Sequence, residues 1–298
     1  MTVVLALVME WILGDPGGTR HPVALFGAFA GGVERRLGDR SRAAGLVAWG
    51  LAVGGASALT ALVLAVADRA GLAWLAGAAV LWMTIGWRSL FEHLGAVARA
   101  ADLETARVAV SRVVGRDVEE MSAADVHRAA LESLAENASD AVIAPLLWSA
   151  IGGPWAAATY RWINTLDAMW GHRTPAYERF GWAAARADDL ASWLPSRLTA
   201  GLYFLAAGRW PAPGWRHQAA RHSSPNAGWP ETALAHCMGV RLGGPVRRSG
   251  HTEKRPWMGP DGAGEPTEAA LHAGLRLTQR VLLLGAVPSA SLALVACG

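Results

Sequence analysis

The sequence is poor in charge, in lysine and in cysteine, and each shortage argues against a class of protein. Only 17% of the 298 residues are charged, whereas soluble domains carry roughly 25%. Lys254 is the one lysine, so arginine supplies nearly all of the positive charge. Cys237 and Cys297 have no partners at metal-ligand spacing, which argues against zinc fingers, iron–sulfur clusters and a disulfide framework. A net charge of only +3 gives no reason to predict a nucleic-acid partner.

Several common catalytic motifs are also missing. The sequence has no Gly-x-x-x-x-Gly-Lys-Ser/Thr loop, no Gly-x-Gly-x-x-Gly fingerprint and no Gly-x-Ser-x-Gly elbow. Any nucleotide would therefore occupy a non-standard site. The apolar start, residues 1–14, lacks a basic region and contains Glu10, so it does not resemble a cleaved signal peptide.

What the sequence has in excess is apolar residues, 52% of the chain, and they come in blocks. Residues 43–67 are 25 consecutive uncharged positions, enough for a helix that crosses the roughly 30 Å hydrocarbon core. Strand signals are weak. The sequence predicts a mainly α, polytopic integral membrane protein with amphipathic and broken helices, built as a single membrane-embedded catalytic domain over residues 1–298. The predicted spans lie near residues 43–67, 70–87, 190–208 and 281–298, with a broken or re-entrant segment at 141–160 and an irregular polar region at 209–267.

The arginines predict the orientation of these spans. They flank residues 43–87 on both sides, which places both flanks in the cytoplasm by the positive-inside rule. Arg276 and Arg280 precede the last span and place the C-terminus outside. The predicted location is the inner, cytoplasmic membrane, in contact with the lipid bilayer and with the polar site on the cytoplasmic side.

One row of carboxylates lies at the edge of an apolar segment. Arg128, Glu132, Glu136 and Asp140 are four residues apart and share one face of a predicted helix. On a soluble helix a solvated face is the simpler interpretation. Here the row runs into the uncharged stretch 141–160, where carboxylates indicate a functional site. Mutual repulsion would be relieved by a cation or a basic partner.

Two further polar groups resemble phosphate or metal sites. Arg161, Asn164 and Asp167 share a helical face. Asp188 and Asp189 form an aspartate pair after Arg186, and paired carboxylates suit Mg²⁺ with bound phosphate. The alternative for Asp189 is an N-terminal helix cap.

Two loops complete the candidates. Gly14-Asp15-Pro16 and His21 follow the first apolar segment, where a helix-ending turn is the simpler interpretation. The stretch from His222 to Glu231 contains Ser223, Ser224 and Asn226 and precedes Leu242-Gly243-Gly244-Pro245. Small, polar loops of this kind could hold an anion or amide groups, although such loops are common.

In this order the motifs resemble the adenosylcobinamide-phosphate synthase family of cobalamin biosynthesis (CobD/CbiB), over nearly the whole chain. Each is weak alone, and the ordered set is specific. Glu10 and Ser192 depart from the pattern, since the family usually has aspartate and asparagine there. The segments that carry the resemblance are 14–16, 21–23, 88–90, 114–117, 136–146, 164–167, 185–189, 194–198, 222–229 and 242–245.

The resemblance implies a ligase that joins adenosylcobyric acid to (R)-1-amino-2-propanol or its O-phosphate, with ATP as co-substrate and Mg²⁺. Its partners would be these corrinoid and aminopropanol substrates, the bilayer, and either a second copy of the chain or other cobalamin-pathway enzymes. The predicted catalytic residues are Glu132, Glu136, Asp140 and Asp167. The predicted substrate-binding residues are Asp15, His21, Arg116, Asn164, Arg186, Arg197, Ser223, Ser224 and Asn226, and the predicted metal ligands are Asp188, Asp189 and Asp140.

Two other functions stay open at this point. A transporter for an anionic or corrinoid compound would also have broken helices, although transporters often show internal repeats and this sequence has none. A non-catalytic membrane scaffold would tolerate replacement of the carboxylates.

Overall fold

The structure, a computed structural model, is mainly helical, as the sequence predicts. It describes residues 1–15, 21–172, 174–248 and 250–295, with side chains as far as residue 287. Pro16 of the first motif, Cys297 and the end of the predicted last span lie outside the described residues. The helices are α1 Thr2–Leu13, α2 Pro22–Leu37, α3 Arg42–Arg69, α4 Ala73–Trp82, α5 Trp87–Ala98, α6 Leu103–Val110, α7 Ala123–Ala138, α8 Ala144–Trp170, α9 Trp182–Ala191, α10 Trp193–Ala207, α11 Trp215–Ala220, α12 Gly228–Met238 and α13 Glu268–Val295.

The helices belong to two compact units. Unit 1 contains Met1–Gly86, Ala144–Ser192 and the end of α13 from Val287. Unit 2 contains Trp87–Ile143 and Trp193–Ala286. The single catalytic domain over residues 1–298 stays a prediction, because the division into two units does not show where catalysis occurs.

The core of unit 1 is formed where α2, α3, α8 and α9 pack together. Its largest buried side chains are Phe26, Trp170 and Phe180. The helices approach closely where glycine allows it: a Cβ on Gly45 would lie 1.9 Å from the Phe180 carbonyl oxygen. Glu34 is held at this core because its carboxylate accepts hydrogen bonds from Trp170 Nε1 and the Tyr177 hydroxyl, both at 2.9 Å.

Within the described residues, two helical segments are long and apolar enough to cross a membrane, Arg42–Arg69 and Ala123–Trp170. The first is α3, whose 28 residues extend about 42 Å. Only 22% of its most apolar stretch is buried, and Leu51, Leu59 and Leu62 are among its exposed side chains. An apolar surface of this size favours contact with lipid or with another protein.

The other predicted spans differ in length from the helices found there. Residues 70–87 contain only α4, ten residues long and about 15 Å, because the chain turns at 83–86 before α5 begins. α4 alone is shorter than the roughly 30 Å hydrocarbon core, so the span predicted near residues 70–87 does not correspond to one continuous helix of that length. In residues 190–208, α10 has 15 residues. A short turn joins α3 to α4, with Gly71 at φ 71°. The apolar start forms α1, which packs on α4.

The broken helix predicted at 141–160 is present. Residues Ser139–Ile143 form a π-helical turn, and α8 is interrupted at Gly152 and Gly153. Gly153 has φ 69° and ψ −172°, a conformation that side chains rarely allow. Pro154 then begins the second half of the helix, where its missing N–H costs no hydrogen bond.

Unit 2 is ordered where the sequence predicts irregular structure. Residues 209–267 contain α11, α12 and four short strands, β1 Leu242–Gly243, β2 Val246–Arg248, β3 His251–Glu253 and β4 Trp257–Met258. The strands form two antiparallel pairs, β1–β4 and β2–β3. The prediction of an irregular region failed because elements this short show no periodicity. At the start of α7, Ser122 and Asp125 form a capping box, in which the Asp125 side chain accepts the Ser122 backbone N–H.

Candidate functional site

Asp188 is an unusual carboxylate of unit 1 because it is half-buried beside other carboxylates. Its Oδ1 accepts a hydrogen bond from Asn164 Nδ2 at 3.2 Å, and its Oδ2 accepts one from the Ser192 hydroxyl at 3.4 Å. The Tyr160 hydroxyl lies 3.2 Å from Ser192 Oγ. Burial, followed by repulsion from Asp167, raises the pKa of Asp188 to about 7. Asp188 therefore changes charge near neutral pH, as a carboxylate in a ligand site often does.

Asp167 faces the same cluster from α8. It lies one helical turn after Asn164, and Arg161 NH1 donates to Asn164 Oδ1 at 3.4 Å. The contact shows that Arg161 and Asn164 share a face, and the helical spacing of three residues puts Asp167 next to them. Gly171 makes room for Asp167, since a Cβ there would lie 1.9 Å from Asp167 Oδ1.

Asp189 and Arg186 form the exposed edge of this group. They are paired at 3.2 Å, one turn apart in α9. Asp189 lies inside α9, which begins at Trp182, so its interpretation as an N-terminal cap is wrong. Asp188 and Asp189 lie in the last turn of α9, and the negative charge of each repels that of Asp167. We call Asp167, Asp188 and Asp189 the aspartate cluster.

The N-terminal motif lies in the same unit. His21 caps α2 by accepting the Val23 N–H at its Nδ1, 3.1 Å away, and its Nε2 is 3.6 Å from Asp15 Oδ1. Burial lowers the pKa of His21, Asp15 opposes that shift, and Arg161 adds to it. His21 is therefore close enough to Arg161, in the helix that carries Asp167, to feel its charge.

The chemistry of the aspartate cluster fits Mg²⁺. All its donors are carboxylate oxygens, and Mg²⁺ binds through one or two carboxylates completed by waters and phosphate. Among the described residues, no group of three or more His, Cys, Asp or Glu side chains is arranged so that it could hold a metal ion without further ligands. Asp140, the third predicted ligand, lies in the π-helical turn of unit 2. Metal binding by Asp188, Asp189 and Asp140 stays a prediction.

In unit 2, Glu132 is committed to two buried contacts. Its Oε2 accepts a hydrogen bond from Arg116 NH2 at 2.6 Å, and its Oε1 accepts the Gly243 N–H at 2.7 Å. The side chains of Glu132 and Arg116 are 4% and 10% exposed. Arg116 is thus a basic partner for the row of carboxylates on α7. Glu132 also joins α7 to the Leu242–Pro245 motif through the Gly243 N–H. Glu136, one turn on, is exposed.

Glu231 is a buried carboxylate that the predicted site omitted. It lies in α12, and His222 Nε2 is 3.8 Å from its Oε2. Burial, followed by repulsion from Glu132 and Glu136, raises the pKa of Glu231 well above its usual value. A single glutamate in an otherwise apolar helix was the signal that could have identified it. Burial lowers the pKa of His222.

Arg197 joins the polar loop of unit 2 to α10. Its guanidinium lies 4.6 Å from the Trp193 ring centre and 4.5 Å from that of Trp229. It donates to Asn226 Oδ1 at 2.8 Å and to the Pro225 carbonyl at 3.1 Å. Arg197 and Asn226, both predicted to bind substrate, therefore bind each other.

The serines of this loop differ in surroundings. Ser224 Oγ accepts the backbone N–H groups of Asn226 and Ala227, at 3.2 and 3.1 Å, and so shapes the turn before α12. Ser223 is exposed. The loop is ordered by its own contacts, which gives it a fixed shape before any ligand arrives.

The profile of a protein family described as "CobD/Cbib protein" matches residues 3–278, nearly the whole chain. The chain belongs to the CobD/CbiB family. "Cobalamin biosynthesis protein CobD" of Rhodobacter capsulatus is 41% identical, over 94% of this chain and 93% of that protein. The protein of the same name from Stutzerimonas stutzeri is 40% identical, over 96% and 97%. "Cobalamin biosynthesis protein CbiB" of Salmonella typhimurium is 36% identical, over 86% and 85%. No solved structure matches the chain.

Membership of the CobD/CbiB family identifies the chain as a cobalamin biosynthesis protein with an enzymatic role. It confirms the family resemblance that the ordered motifs indicate. The names of these relatives refer to biosynthesis and do not mention transport.

Proposed function

We propose that this CobD/CbiB family member joins adenosylcobyric acid to (R)-1-amino-2-propanol or its O-phosphate, in an ATP-dependent amide ligation. The observation that carries the proposal is the aspartate cluster, with Asp188 half-buried beside Asp167 and hydrogen-bonded by Asn164. Buried carboxylates that repel one another are stabilised by a divalent cation, and a cation with phosphate is what ATP chemistry requires.

The reaction consists of two balanced steps. In the first, a carboxylate oxygen of the corrinoid forms a bond to the γ-phosphorus of ATP, and the bond from that phosphorus to the β–γ bridging oxygen breaks. The products are an acyl phosphate and ADP. In the second, the amine nitrogen bonds to the acyl carbon, the carbon–oxygen bond to phosphate breaks, and the nitrogen loses a proton. The products are the amide and inorganic phosphate.

The residues of unit 1 have distinct roles in this scheme. Asp188 and Asp189 would hold Mg²⁺, which when bound neutralises and orients phosphate oxygens. Arg161 and Arg186 lie on the same elements and supply the guanidinium groups that bind phosphate in a fork. Asp167 is the proposed acceptor of the amine proton. It is half-buried, and its carboxylate occupies space that the missing side chain of Gly171 leaves open.

Glu132 is the less suitable proton acceptor because both of its oxygens are already bonded, to Arg116 and to the Gly243 N–H. We propose that Glu132 has a structural role, in which it stabilises unit 2 by joining α7 to Arg116 and to the Gly243 backbone. The proposed setting is the inner membrane, with several spans and the aspartate cluster on the cytoplasmic side, where ATP is available.

The test is an assay of the purified full chain in lipid nanodiscs. Adenosylcobyric acid, ATP and Mg²⁺ are supplied with aminopropanol or its phosphate, and the amide product and ADP are measured by mass spectrometry. We expect one ADP for each amide formed. Asp167→Asn should lower kcat by about 10²-fold or more, the lower range for loss of a general base. Glu178→Gln, at an exposed position of the same unit, is the control and should keep wild-type kcat. Amide formation without ATP consumption, or equal kcat in both variants, would contradict the proposal.

A further inference from the structure

Unit 2 has a large cleft that none of the roles above uses. Its volume is about 1140 Å³, above the roughly 300–1,000 Å³ of most small-molecule sites. It is lined by α10, by residues 208–214, by the first turn of α11 and by Trp229 of α12. A cleft of this volume suits a ligand with a long apolar part better than a small polar metabolite.

The aromatic lining of the cleft is fixed by its own contacts. Trp215 packs edge-on against Phe204, at 4.9 Å between ring centres, and against Trp229, at 5.5 Å. The Arg197 guanidinium stacks on Trp193 and on Trp229, as described above. Because these rings are already held in place, an apolar chain that packs on them has few further side chains to order.

Much of the apolar lining is open to the surroundings of the protein. Trp210 is 94% exposed, and Leu194 and Leu205 of α10 are 47% and 66% exposed. With 15 residues, α10 extends about 22 Å, less than the roughly 30 Å of the hydrocarbon core. A short helix with exposed leucines beside an exposed tryptophan suits the membrane interface, where tryptophan is enriched. The lining therefore favours contact with lipid over contact with water.

The described charged residues that line the cleft are all positive: Arg197, Arg209 and Arg216. In the part of the chain that the structure describes, none of the three forms an ion pair with a carboxylate. Arg209 and Arg216 are exposed. The hydrogen-bond acceptors described for Arg197 are neutral, namely the carbonyls of Trp193 and Pro225, the Ser196 hydroxyl and the Asn226 amide oxygen. The cleft therefore combines an apolar lining with positive charge that no described carboxylate neutralises.

We infer that this cleft binds an anionic phospholipid, with its acyl chains on the tryptophans and its headgroup phosphate at Arg209 and Arg216. Arginine binds phosphate oxygens in a fork, and basic pockets in membrane proteins hold anionic headgroups. An acidic amphipathic peptide would match the same charge. The phospholipid is favoured because α3 of the same chain is long and apolar enough to cross a membrane, which places phospholipid next to the protein. Lipid binding at the cleft does not depend on the proposed ligation.

The charged part of the site is tested by the double variant Arg209→Gln/Arg216→Gln. Its matched control is Arg99→Gln/Arg112→Gln, which removes the same charge from unit 2. Arg99 and Arg112 are also exposed, and neither lines the cleft.

The apolar part of the site is tested by Gly201→Trp. Gly201 lines the cleft on an exposed turn of α10, and a Cβ there would meet nothing within 4 Å, so the indole should fill the cleft without disturbing the helix. Gly54→Trp is the matched control, since Gly54 is also an exposed helical glycine with nothing within 4 Å, in α3. Thermal unfolding of all four variants should match the wild type.

Binding is measured by native mass spectrometry of the full chain, stripped of lipid in detergent and titrated with phosphatidylglycerol or with phosphatidylcholine of the same acyl chains. Neither ATP nor a corrinoid is present, so lipid binding is separated from catalysis. We expect the wild type to bind its first phosphatidylglycerol at least tenfold more tightly than its first phosphatidylcholine, since each arginine beside an anionic lipid contributes about fivefold. Arg209→Gln/Arg216→Gln should lose this preference, and its control should keep it. The Kd of phosphatidylglycerol should rise at least tenfold in Gly201→Trp and stay unchanged in Gly54→Trp.

Each outcome decides for or against the lipid site. Equal affinity of the wild type for the two lipids would leave an acidic peptide as the occupant and overturns the lipid site. An unchanged preference in Arg209→Gln/Arg216→Gln, or an unchanged Kd in a folded Gly201→Trp, places the lipid outside the cleft and also overturns it. Displacement of phosphatidylglycerol by an equal concentration of glycerol 3-phosphate would identify a site for free phosphate, with the same consequence. Loss of the preference in the cleft variants but not in their controls supports the lipid site, whether or not the chain forms an amide. If Gly201→Trp unfolds at a lower temperature, the arginine variants decide.

Discussion

The replacement Asp188→Asn should stabilise the metal-free protein at pH 8. Asp188 is half-buried, and loss of hydration with repulsion from Asp167 raises its pKa to about 7 from an ordinary 3.8. The folded state therefore binds a proton that the unfolded state has lost between about pH 4 and pH 7. Because the folded state is the more protonated one, the free energy of unfolding falls as the pH rises through this window.

The size of the effect follows from the shift. About three pKa units correspond to about 4 kcal/mol, at about 1.4 kcal/mol for each unit. Asparagine keeps an oxygen that can accept from Asn164 Nδ2 and carries no charge at any pH. At pH 8 the variant should exceed the wild type by up to about 4 kcal/mol, and at pH 4 the two should be equal.

The assay is unfolding of the full chain in detergent with EDTA, at pH 4, 6 and 8, followed by the near-ultraviolet signal of tryptophan. Asp189→Asn is the control, since Asp189 is partly exposed and paired with Arg186, so its loss should change stability by no more than about 1 kcal/mol. Added Mg²⁺ should raise the wild-type melting temperature at pH 8 and leave that of Asp188→Asn nearly unchanged. A variant less stable than the wild type at pH 8 would refute the reasoning.

Two further replacements test the packing around the polar groups. Gly171→Ala should lower kcat at least tenfold with little change in expression, because the new Cβ would lie 1.9 Å from Asp167 Oδ1 and displace that carboxylate. Gly50→Ala is the control and should keep the wild-type kcat, because a Cβ on Gly50 would meet nothing within 4 Å. The ligation assay distinguishes them, and equal rates would show that Asp167 tolerates displacement. Glu132→Ala leaves the buried Arg116 without its carboxylate and should cost about 3–5 kcal/mol of stability, measured by thermal unfolding. A loss below about 1 kcal/mol would contradict the buried ion pair.

The local patterns of the sequence indicated elements whose signal lies within one segment of the chain. The 25 uncharged residues before Asp68 became α3, the capping box began α7, and the glycine pair at 152–153 interrupted α8. Each of these signals acts within one segment, so no knowledge of distant neighbours was needed. The length of α4 was missed because an uncharged stretch does not reveal where a helix ends.

The partners of the polar side chains were harder to predict because they are set by packing between distant segments. Asn164 and Asp188 are 24 residues apart, and Glu132 meets the Gly243 N–H across 111 residues. The sequence assigned Glu132 to catalysis and overlooked Glu231, since a pattern shows that a carboxylate is unusual but not what it contacts. The same limit applied to Arg197 and Asn226, whose mutual bond depends on the fold of α10 against the following loop.

The interruption at Gly152–Gly153 also decides how the chain tolerates length changes. Each residue of an α-helix turns the following face by about 100°. An insertion ahead of the interruption can be absorbed there, because the backbone is already non-helical at both glycines. A residue inserted between Pro154 and Asn164 would lie in regular helix, where the backbone cannot absorb it. It would rotate Asn164 and Asp167 together away from Asp188. The half-helix that begins at Pro154 is therefore a register-sensitive stretch, while the segment that precedes Gly152 has freedom to vary in length.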